Sequence, residues 1–285
     1  MSIGKQDPRM TNPIRLIDRP PEDQHIGRGQ SGEVFRLDDE KILKLFFSHI
    51  ESHTVEREYL ATSMAAELGL LVAEPFEHVR VGGRHGLIMR YLEGLVLLRK
   101  VGKRPVGMTL ALVALARWQT RLHGQPAGAG LPTMKAVLTH QVAVSVAGEG
   151  PIAAAARVLR DGADGDRLCH GDLHFGNIIA TPDGLAAIDW AKAYVGVAEA
   201  DVARSELLIR YGGYGRFMRR YPPARILRHM SAEWYLFWYC LLSRRRRRDI
   251  MRWRLPVAVA WMQGQDTMFV PGLTRAIARM TARYR

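Results

Sequence analysis

The stretch Leu168–Ala180, "LCHGDLHFGNIIA", places two histidines, an aspartate and an asparagine between apolar residues. Asp172 and Asn177 are five residues apart, and Asp189 follows Asn177 by twelve residues after an apolar run. Carboxylate and amide oxygens are ligands that Mg²⁺ prefers, so Asn177 and Asp189 form a candidate magnesium site. Asp172, in the loop before Asn177, is placed to accept the proton of an attacking hydroxyl. His170 would brace that loop by hydrogen bonding.

Other interpretations of this stretch explain fewer residues. His170 and His174 are metal-like in composition, but with one nearby cysteine, Cys169, and no further ligand spacing, the sequence does not favour a zinc site. An aspartate before an apolar run can also be a helix cap or a turn former. Each alternative explains one residue type, whereas metal-assisted phosphoryl transfer explains several positions in one order along the chain.

A second motif lies in the N-terminal part of the chain. It consists of three glycines and a valine at fixed spacing, Gly27, Gly29, Gly32 and Val34. Glycines so spaced let backbone amides approach phosphate oxygens without clashes from Cβ atoms. A dinucleotide-binding fold needs a helix after the glycines, but here two runs of β-forming residues follow, Val34–Leu37 and Ile42–Phe47. The arrangement is typical of a loop over nucleotide phosphates, with an ordinary glycine turn as the alternative.

Lys44 lies in the second of these runs, between Leu43 and Leu45. Because side chains alternate along a strand, its ammonium points away from those apolar neighbours. In phosphoryl transfer such a lysine neutralises nucleotide phosphates and is held by a carboxylate from a helix. Glu58 in the following amphipathic segment is the better candidate for that carboxylate, and Glu56 is the second. The alternative is a solvated lysine on an edge strand.

Composition and pattern divide the chain into three parts. Residues 1–20 are polar and proline-punctuated, and predict a flexible N-terminal arm. Residues 21–93 predict strands around one helix and would bind nucleotide phosphates. Residues 94–285 are mainly helical, apart from a β-hairpin in Phe175–Trp190 that begins within the opening stretch, and would hold the catalytic loop, the metal site and the acceptor region.

The segments "HGDLHFGNII" and "AAIDW" resemble the catalytic and metal-binding signature of the aminoglycoside phosphotransferase and choline kinase-like family, small-molecule relatives of the protein kinases. The resemblance extends from about Ile26 to about Leu208. It departs at Gly196-Val197-Ala198, where the family often has Gly-Asp-Pro.

This resemblance implies an α+β, bilobal protein-kinase-like fold with a β-rich N-lobe and a mainly helical C-lobe. It also implies ATP- and Mg²⁺-dependent transfer of the γ-phosphoryl group to a hydroxyl of a small molecule. The residue roles that it implies are a catalytic base at Asp172, magnesium ligands at Asn177 and Asp189, a phosphate-binding pair at Lys44 and Glu58, an adenine hinge at Arg90, Tyr91 and Leu92, and a brace for the catalytic loop at Asp201. Only eleven residues separate Asp189 from Asp201, too few for the long activation segment that cradles a polypeptide substrate.

The charge of the chain is concentrated at its C-terminal end. The net charge is +13, and residues 201–285 contain 18 arginines against 5 acidic residues. The segment Ser243–Leu255, "SRRRRRDIMRWRL", therefore raises an alternative function, a kinase-like scaffold or pseudoenzyme that grips nucleic acid or an anionic membrane. Charge runs are more often solvated helix faces whose arginines pair with acids elsewhere. A third interpretation is an anionic acceptor bound by guanidinium groups, which fits this charge better than a polycationic aminoglycoside does.

Cysteine content and hydropathy predict a cytoplasmic protein. The chain has two cysteines, Cys169 and Cys240, too few for a disulfide framework, and its N-terminal segment lacks an apolar leader. The longest apolar run, Trp234–Leu242, is too short to span a bilayer.

Overall fold

The computed structural model describes residues 14–101, 105–212, 222–263 and 271–284. Residues 1–13 of the predicted arm lie outside the described residues. The chain divides into two compact units. The β-rich unit comprises Met1–Lys100, Ala127–Leu131 and Phe175–Ala193, and the helical unit comprises Val101–Pro126, Pro132–His174 and Tyr194–Arg285. The opening stretch of the sequence contributes to both units, because the boundary falls between His174 and Phe175.

A six-stranded sheet forms the centre of the β-rich unit. Its strands, in chain order, are β1 (Arg15–Leu16), β2 (His25–Arg28), β3 (Gly32–Arg36), β4 (Lys41–Phe46), β5 (Pro75–Val81) and β6 (Arg84–Arg90). Their order across the sheet is β1-β5-β6-β4-β3-β2, and all neighbours are antiparallel except β1 and β5. The two predicted runs of β-forming residues are thus confirmed as the β3–β4 hairpin.

Strand β1 falls within residues 1–20, the segment for which the sequence predicts a flexible arm. Arg15 pairs with Val79 in the sheet, and its guanidinium makes two hydrogen bonds of 2.8 Å to the carboxylate of Glu77. A strand of two residues is too short to show the alternation by which strands are recognised in a sequence.

Helix α1 (Ser52–Glu67) covers one face of this sheet. Val55 and Tyr59 of α1 pack with Phe46 and Leu87 from the sheet in one buried apolar cluster. Leu43 of β4 belongs to a second cluster with other sheet residues. Because successive side chains of β4 alternate between faces, Lys44 lies on the same face as Phe46, towards α1.

Two smaller sheets complete the strands. In the β-rich unit, β7 (Leu95–Val96), β9 (Ile178–Thr181) and β10 (Gly184–Ala187) form a sheet in the order β10-β9-β7. The pair β9–β10 is the hairpin that the sequence predicts in Phe175–Trp190, so that prediction is confirmed. In the helical unit, β8 (Arg167–Cys169) pairs with β11 (Tyr194–Gly196).

The remaining helices, in chain order, are α2 (Leu97–Val101), α3 (Pro105–Leu122), α4 (Met134–Ala143), α5 (Glu149–Asp161), α6 (Ala198–Tyr211), α7 (Pro222–Ser243), α8 (Arg247–Trp261) and α9 (Pro271–Thr281). Helix α7 packs against α3 and α6, and α8 packs against α5 and α6. Among the residues that the structure describes, no helix combines the length and apolar composition needed to cross a membrane.

Helix α5 lies in the part of the chain, residues 94–285, that the sequence predicts to be mainly helical. The segment Gly150-Pro151 is typical of a turn, but both residues lie in the first turn of α5, where proline is tolerated because its missing N–H has no intrahelical partner.

Candidate active site

Lys44 is held by two carboxylates within the β-rich unit. Its Nζ lies 2.6 and 2.8 Å from the carboxylate oxygens of Glu58 and 2.9 Å from Oδ1 of Asp189. Glu58 is buried, with 1% of its side chain exposed, whereas Glu56 is exposed and accepts a hydrogen bond from Ser52. The structure therefore pairs Lys44 with Glu58, the better of the two candidates named from the sequence.

Burial and charge shift the pKa values of this cluster in opposing ways. Burial raises the pKa of Glu58 to about 7, although the ammonium of Lys44 opposes the shift. Burial alone would lower the pKa of Lys44, but the charges and hydrogen bonds of Glu58 and Asp189 outweigh it, so its pKa is raised. Lys44 consequently carries its positive charge at neutral pH, as a group that neutralises phosphates must.

The hairpin β9–β10 positions both candidate magnesium ligands. Asn177 ends a turn of 3₁₀ helix (Phe175–Asn177) just before β9, and Asp189 follows the end of β10 by two residues. The backbone N–H of Ile188 donates to the carbonyl of Asn177 at 3.0 Å, which ties the two ends of the hairpin together. The side chain of Asp189 is 38% exposed, and the donor set of amide and carboxylate oxygens fits Mg²⁺.

Asp189 has an unusual backbone conformation. Its φ is +65°, in the left-handed region that residues other than glycine seldom adopt. Such strain persists only where the surrounding structure enforces it, and it is concentrated at functional sites. Here the enforcing contacts are the Ile188–Asn177 hydrogen bond and the bond from Lys44 to the carboxylate of Asp189.

The three glycines of the predicted phosphate loop have different structural roles. They lie on β2, the turn after it and the start of β3, so a strand follows the loop, as the sequence predicts, and another strand precedes it. A Cβ atom on Gly32 would lie 2.4 Å from the carbonyl oxygen of Leu45, so the close approach of β4 requires glycine there. Nothing lies within 4 Å of a Cβ on Gly27, and a Cβ on Gly29 would meet only a carbonyl oxygen at 3.9 Å. Val34, the last residue of the motif, pairs with Lys44 across the hairpin.

The predicted adenine hinge lies at the end of β6. The backbone N–H of Arg90 donates to the carbonyl of Glu74 at 2.8 Å, and that of Tyr91 donates to the carbonyl of Glu40 at 2.6 Å. An adenine base would therefore have to use carbonyl groups of this segment or the backbone from Leu92 onward.

The predicted catalytic loop, which contains His170, Gly171 and Asp172, is anchored within the helical unit by Asp201 of α6. The backbone N–H of Gly171 donates to Oδ1 of Asp201 at 2.7 Å, and that of His170 lies 3.3 Å from Oδ2. Gly171 has a φ of +75°, a conformation that favours glycine. The ring of His170 accepts a hydrogen bond from the backbone N–H of Asp172 at 3.3 Å. Both braces predicted for this loop are therefore present in the structure.

Asp201 is fully buried and is itself held by side chains at the C-terminal end of α3. Gln119 of α3 and His123, the residue after that helix, approach its Oδ2 at 2.8 and 3.1 Å, and the hydroxyl of Tyr239 on α7 lies 2.8 Å from the other ring nitrogen of His123. Burial alone would raise the pKa of Asp201, but hydrogen bonds from His123 and Gly171 outweigh it and lower the pKa. Asp201 is thus an ionised anchor that ties α6 to α3 directly and to α7 through His123.

Cys169 lies close to this anchor, so that His123, Cys169 and Asp201 form a compact buried group of metal-type side chains. Asp201 already accepts hydrogen bonds from the catalytic loop and from α3, and burial raises the pKa of the Cys169 thiol well above its usual value. The group is explained by its hydrogen bonds, and its thiol is neutral.

Arg204, one turn along α6 from Asp201, is absent from the residues predicted from the sequence. Its Nη2 lies 3.1 Å from Oδ1 of Asp172, and both side chains are 13% exposed. The spacing of three residues between Asp201 and Arg204 places both on one face of α6, but the contact with Asp172 depends on how α6 packs against the loop.

The sequence model of the phosphotransferase enzyme family matches residues 23–221. The chain belongs to this family. Membership confirms the resemblance stated from the catalytic signature, and it makes the chain an enzyme of the small-molecule kinase class. Among curated proteins, none matches the sequence.

Solved structures confirm the fold. A thermostable mutant of aminoglycoside phosphotransferase APH(4)-Ia, in ternary complex with ADP and hygromycin B, aligns with a TM-score of 0.60 at 13% identity, over 90% of this chain and 92% of that one. Aminoglycoside phosphotransferase APH(3'')-Id from Streptomyces rimosus, in complex with ADP and streptomycin, aligns with a TM-score of 0.55 at 20% identity, over 80% and 90%. A glucosamine kinase aligns with a TM-score of 0.51 at 17% identity, over 86% and 74%. The phosphotransferase has the α+β, bilobal protein-kinase-like fold predicted from its sequence.

Proposed function

We propose that this phosphotransferase moves the γ-phosphoryl group of ATP to a hydroxyl of a small molecule in a Mg²⁺-dependent reaction. The observation that carries the proposal is the cluster around Lys44, in which one ammonium contacts the buried carboxylate of Glu58 and the strained Asp189. This is the arrangement that phosphoryl transfer needs at the nucleotide phosphates, a fixed positive charge beside a metal-binding carboxylate.

The candidate residues would supply different parts of the reaction. Lys44 would neutralise the phosphates, and Asn177 and Asp189 would hold Mg²⁺, which supplies charge neutralisation on the phosphate oxygens when bound. Asp172, on the loop that Asp201 fixes, would orient the acceptor hydroxyl and take its proton. The acceptor O–H bond then breaks as its oxygen bonds to the γ-phosphorus and the bond to the leaving ADP breaks. Positioning and charge account for most of the rate in such transfers.

The acceptor would be a small molecule with a hydroxyl group. Structures with this fold hold hygromycin B or streptomycin, and another is a glucosamine kinase, so amino sugars and aminoglycosides belong in any screen. Only eleven residues lie between Asp189 and Asp201, which favours a small acceptor over a polypeptide.

Ion pairs within the helical unit bear on the alternative functions of the arginine-rich segment. Several of its guanidinium groups contact acids on neighbouring helices. These pairs are Arg245 with Glu199, Arg247 with Glu233 and Arg254 with Glu206. They match the pattern of a helix face whose arginines pair with acids, so they do not favour a dedicated surface for nucleic acid, an anionic membrane or an anionic acceptor.

The test is ATP consumption by the full chain with a panel of hydroxylated metabolites, amino sugars and aminoglycosides. We expect turnover with at least one acceptor, about 10²–10⁴-fold slower in Asp172→Asn, the usual contribution of general-base catalysis. Asp189→Ala should remove Mg²⁺-dependent turnover, whereas Asp183→Asn, in the exposed turn of the same hairpin, should not change it. Salt-sensitive binding to nucleic acid or anionic vesicles, with no phosphotransfer to any acceptor, would overturn the proposal.

A further inference from the structure

Helix α6 contacts the catalytic loop through two side chains of opposite charge, Asp201 and Arg204. Asp201 accepts hydrogen bonds from the backbone of His170 and Gly171, and Arg204, one turn later, contacts the side chain of Asp172. The first contact fixes the path of the loop backbone. The second contact, from Arg204, reaches the carboxylate of Asp172, which is the proton acceptor in the proposed function. Helix α6 therefore controls both the position and the orientation of Asp172.

The surroundings of Arg204 restrict its movement. Its guanidinium lies over the ring of Trp261, the last residue of α8, with the guanidinium carbon 4.6 Å from the ring centre. A planar guanidinium stacked on an aromatic face keeps its N–H groups in a fixed direction, and a low exposed fraction reduces competition from water. Trp261 therefore holds Arg204 in the orientation in which Nη2 meets Asp172.

We infer that Arg204 is a positioning residue for the catalytic carboxylate, with Trp261 as its platform. This inference rests on the proposed function. A bond from Arg204 to Oδ1 of Asp172 fixes the rotation of the carboxylate about its last side-chain torsion, and so directs Oδ2. An adjacent positive charge also favours the charged form of a carboxyl. Asp172 is thereby better suited to orient the acceptor hydroxyl than to act as a strong base.

The test compares Arg204→Met and Arg204→Lys with Arg245→Met. Arg245 also pairs with an acid on α6, Glu199, so its replacement removes an ion pair from the same helix without touching the catalytic loop. We expect Arg204→Met to lower kcat about 100-fold, the effect of a misplaced catalytic group, with the KM for ATP unchanged. Arg204→Lys should retain part of the activity, and Arg245→Met should retain nearly all of it.

A pH profile separates positioning from a purely structural role. In Arg204→Met the pKa of Asp172 should rise, so the loss of kcat on acidification should begin at a higher pH than in the wild type. Titration of the Asp172 carboxyl, followed by NMR with ¹³C-labelled aspartate and Asp172→Asn for assignment, measures the same shift without turnover.

The outcomes distinguish this inference from the proposed function. If the Asp172 titration shifts in Arg204→Met but the wild type phosphorylates no acceptor, the contact is upheld and the proposed function fails. If the wild type turns over and Arg204→Met changes neither kcat nor the titration, the proposed function is upheld and the inference is wrong. A loss of kcat with no change in titration or pH profile would also refute it.

Discussion

Replacing Asp201 with asparagine tests how far the catalytic loop depends on its buried anchor. The aspartate accepts hydrogen bonds from two backbone N–H groups, of His170 and Gly171, and from two side chains, Gln119 and His123. Asparagine has the same shape but only one acceptor oxygen, so it cannot satisfy donors on both sides. The oxygen should face the three donors at Oδ2, which leaves the amide nitrogen against the N–H of Gly171.

The expected loss of stability follows from these contacts. An unsatisfied buried N–H at Gly171 costs about 1–3 kcal/mol, and the three remaining hydrogen bonds each lose about 1 kcal/mol when their acceptor becomes neutral. Removing a buried charge relieves its desolvation and offsets part of this sum. The net loss is about 3 kcal/mol, equivalent to a Tm lower by about 6–12 °C for a chain of this size. Because Gly171 directly precedes Asp172, kcat should also fall about 100-fold.

Thermal unfolding and steady-state kinetics measure both effects, with Ser205→Ala as the matched control. Ser205 is also buried on α6 and contacts Gln119 at 3.2 Å, so the loss of its hydroxyl should cost about 1 kcal/mol of stability and leave turnover unchanged.

The stabilising effect of Asp201 should depend on pH. Because the pKa of Asp201 is lowered in the folded state, the ionised carboxylate contributes stability above its ordinary pKa of 3.8, and this stability is lost as the pH falls through the folded-state pKa. The difference in unfolding free energy between the wild type and Asp201→Asn should therefore become smaller at acidic pH. A variant with wild-type Tm and kcat would refute this account of the anchor.

Two further predictions concern the β-rich unit. Gly32→Ala should lower the Tm because its Cβ would meet the carbonyl oxygen of Leu45 at 2.4 Å, whereas Gly27→Ala, with nothing within 4 Å, should not; equal Tm values for the two variants would contradict this distinction. The raised pKa of Glu58 should make the wild type lose stability as the pH rises from about 4.5 to about 7, and Glu58→Gln should lack that loss. Urea unfolding at pH 5 and pH 7 measures the difference between the two proteins, and parallel pH dependence in both would count against a raised pKa.

Patterns within short segments were sufficient to predict most of the fold. The β3–β4 and β9–β10 hairpins each combine two apolar runs with a turn signal, and the face of β4 that carries Lys44 follows from strand alternation. Strand β1 was missed because a strand of two residues is too short to show a period.

The candidate site was predictable by residue type, but only some of its contacts were. Lys44 and Glu58 are 14 residues apart, close enough for a strand followed by a helix to suggest their pairing. Lys44 and Asp189 are 145 residues apart, and their contact depends on how the β9–β10 hairpin packs. Arg204 is 32 residues from Asp172, and its role emerges only once α6 is placed against the loop.

The departure from the family pattern at Gly196-Val197-Ala198 shows what keeps α6 in place. Gly196 pairs with Arg167 at the end of the β8–β11 ladder, and a Cβ atom on it would lie 2.4 Å from Met134. Val197 then caps α6 with extended backbone and no side-chain hydrogen bond. Strand β8 leads into the catalytic loop and β11 leads into α6, so the register of this one ladder sets Asp201 and Arg204 against the loop. The aspartate that the family often has here is therefore dispensable, because backbone pairing and close packing on Met134 fix the start of α6 without it.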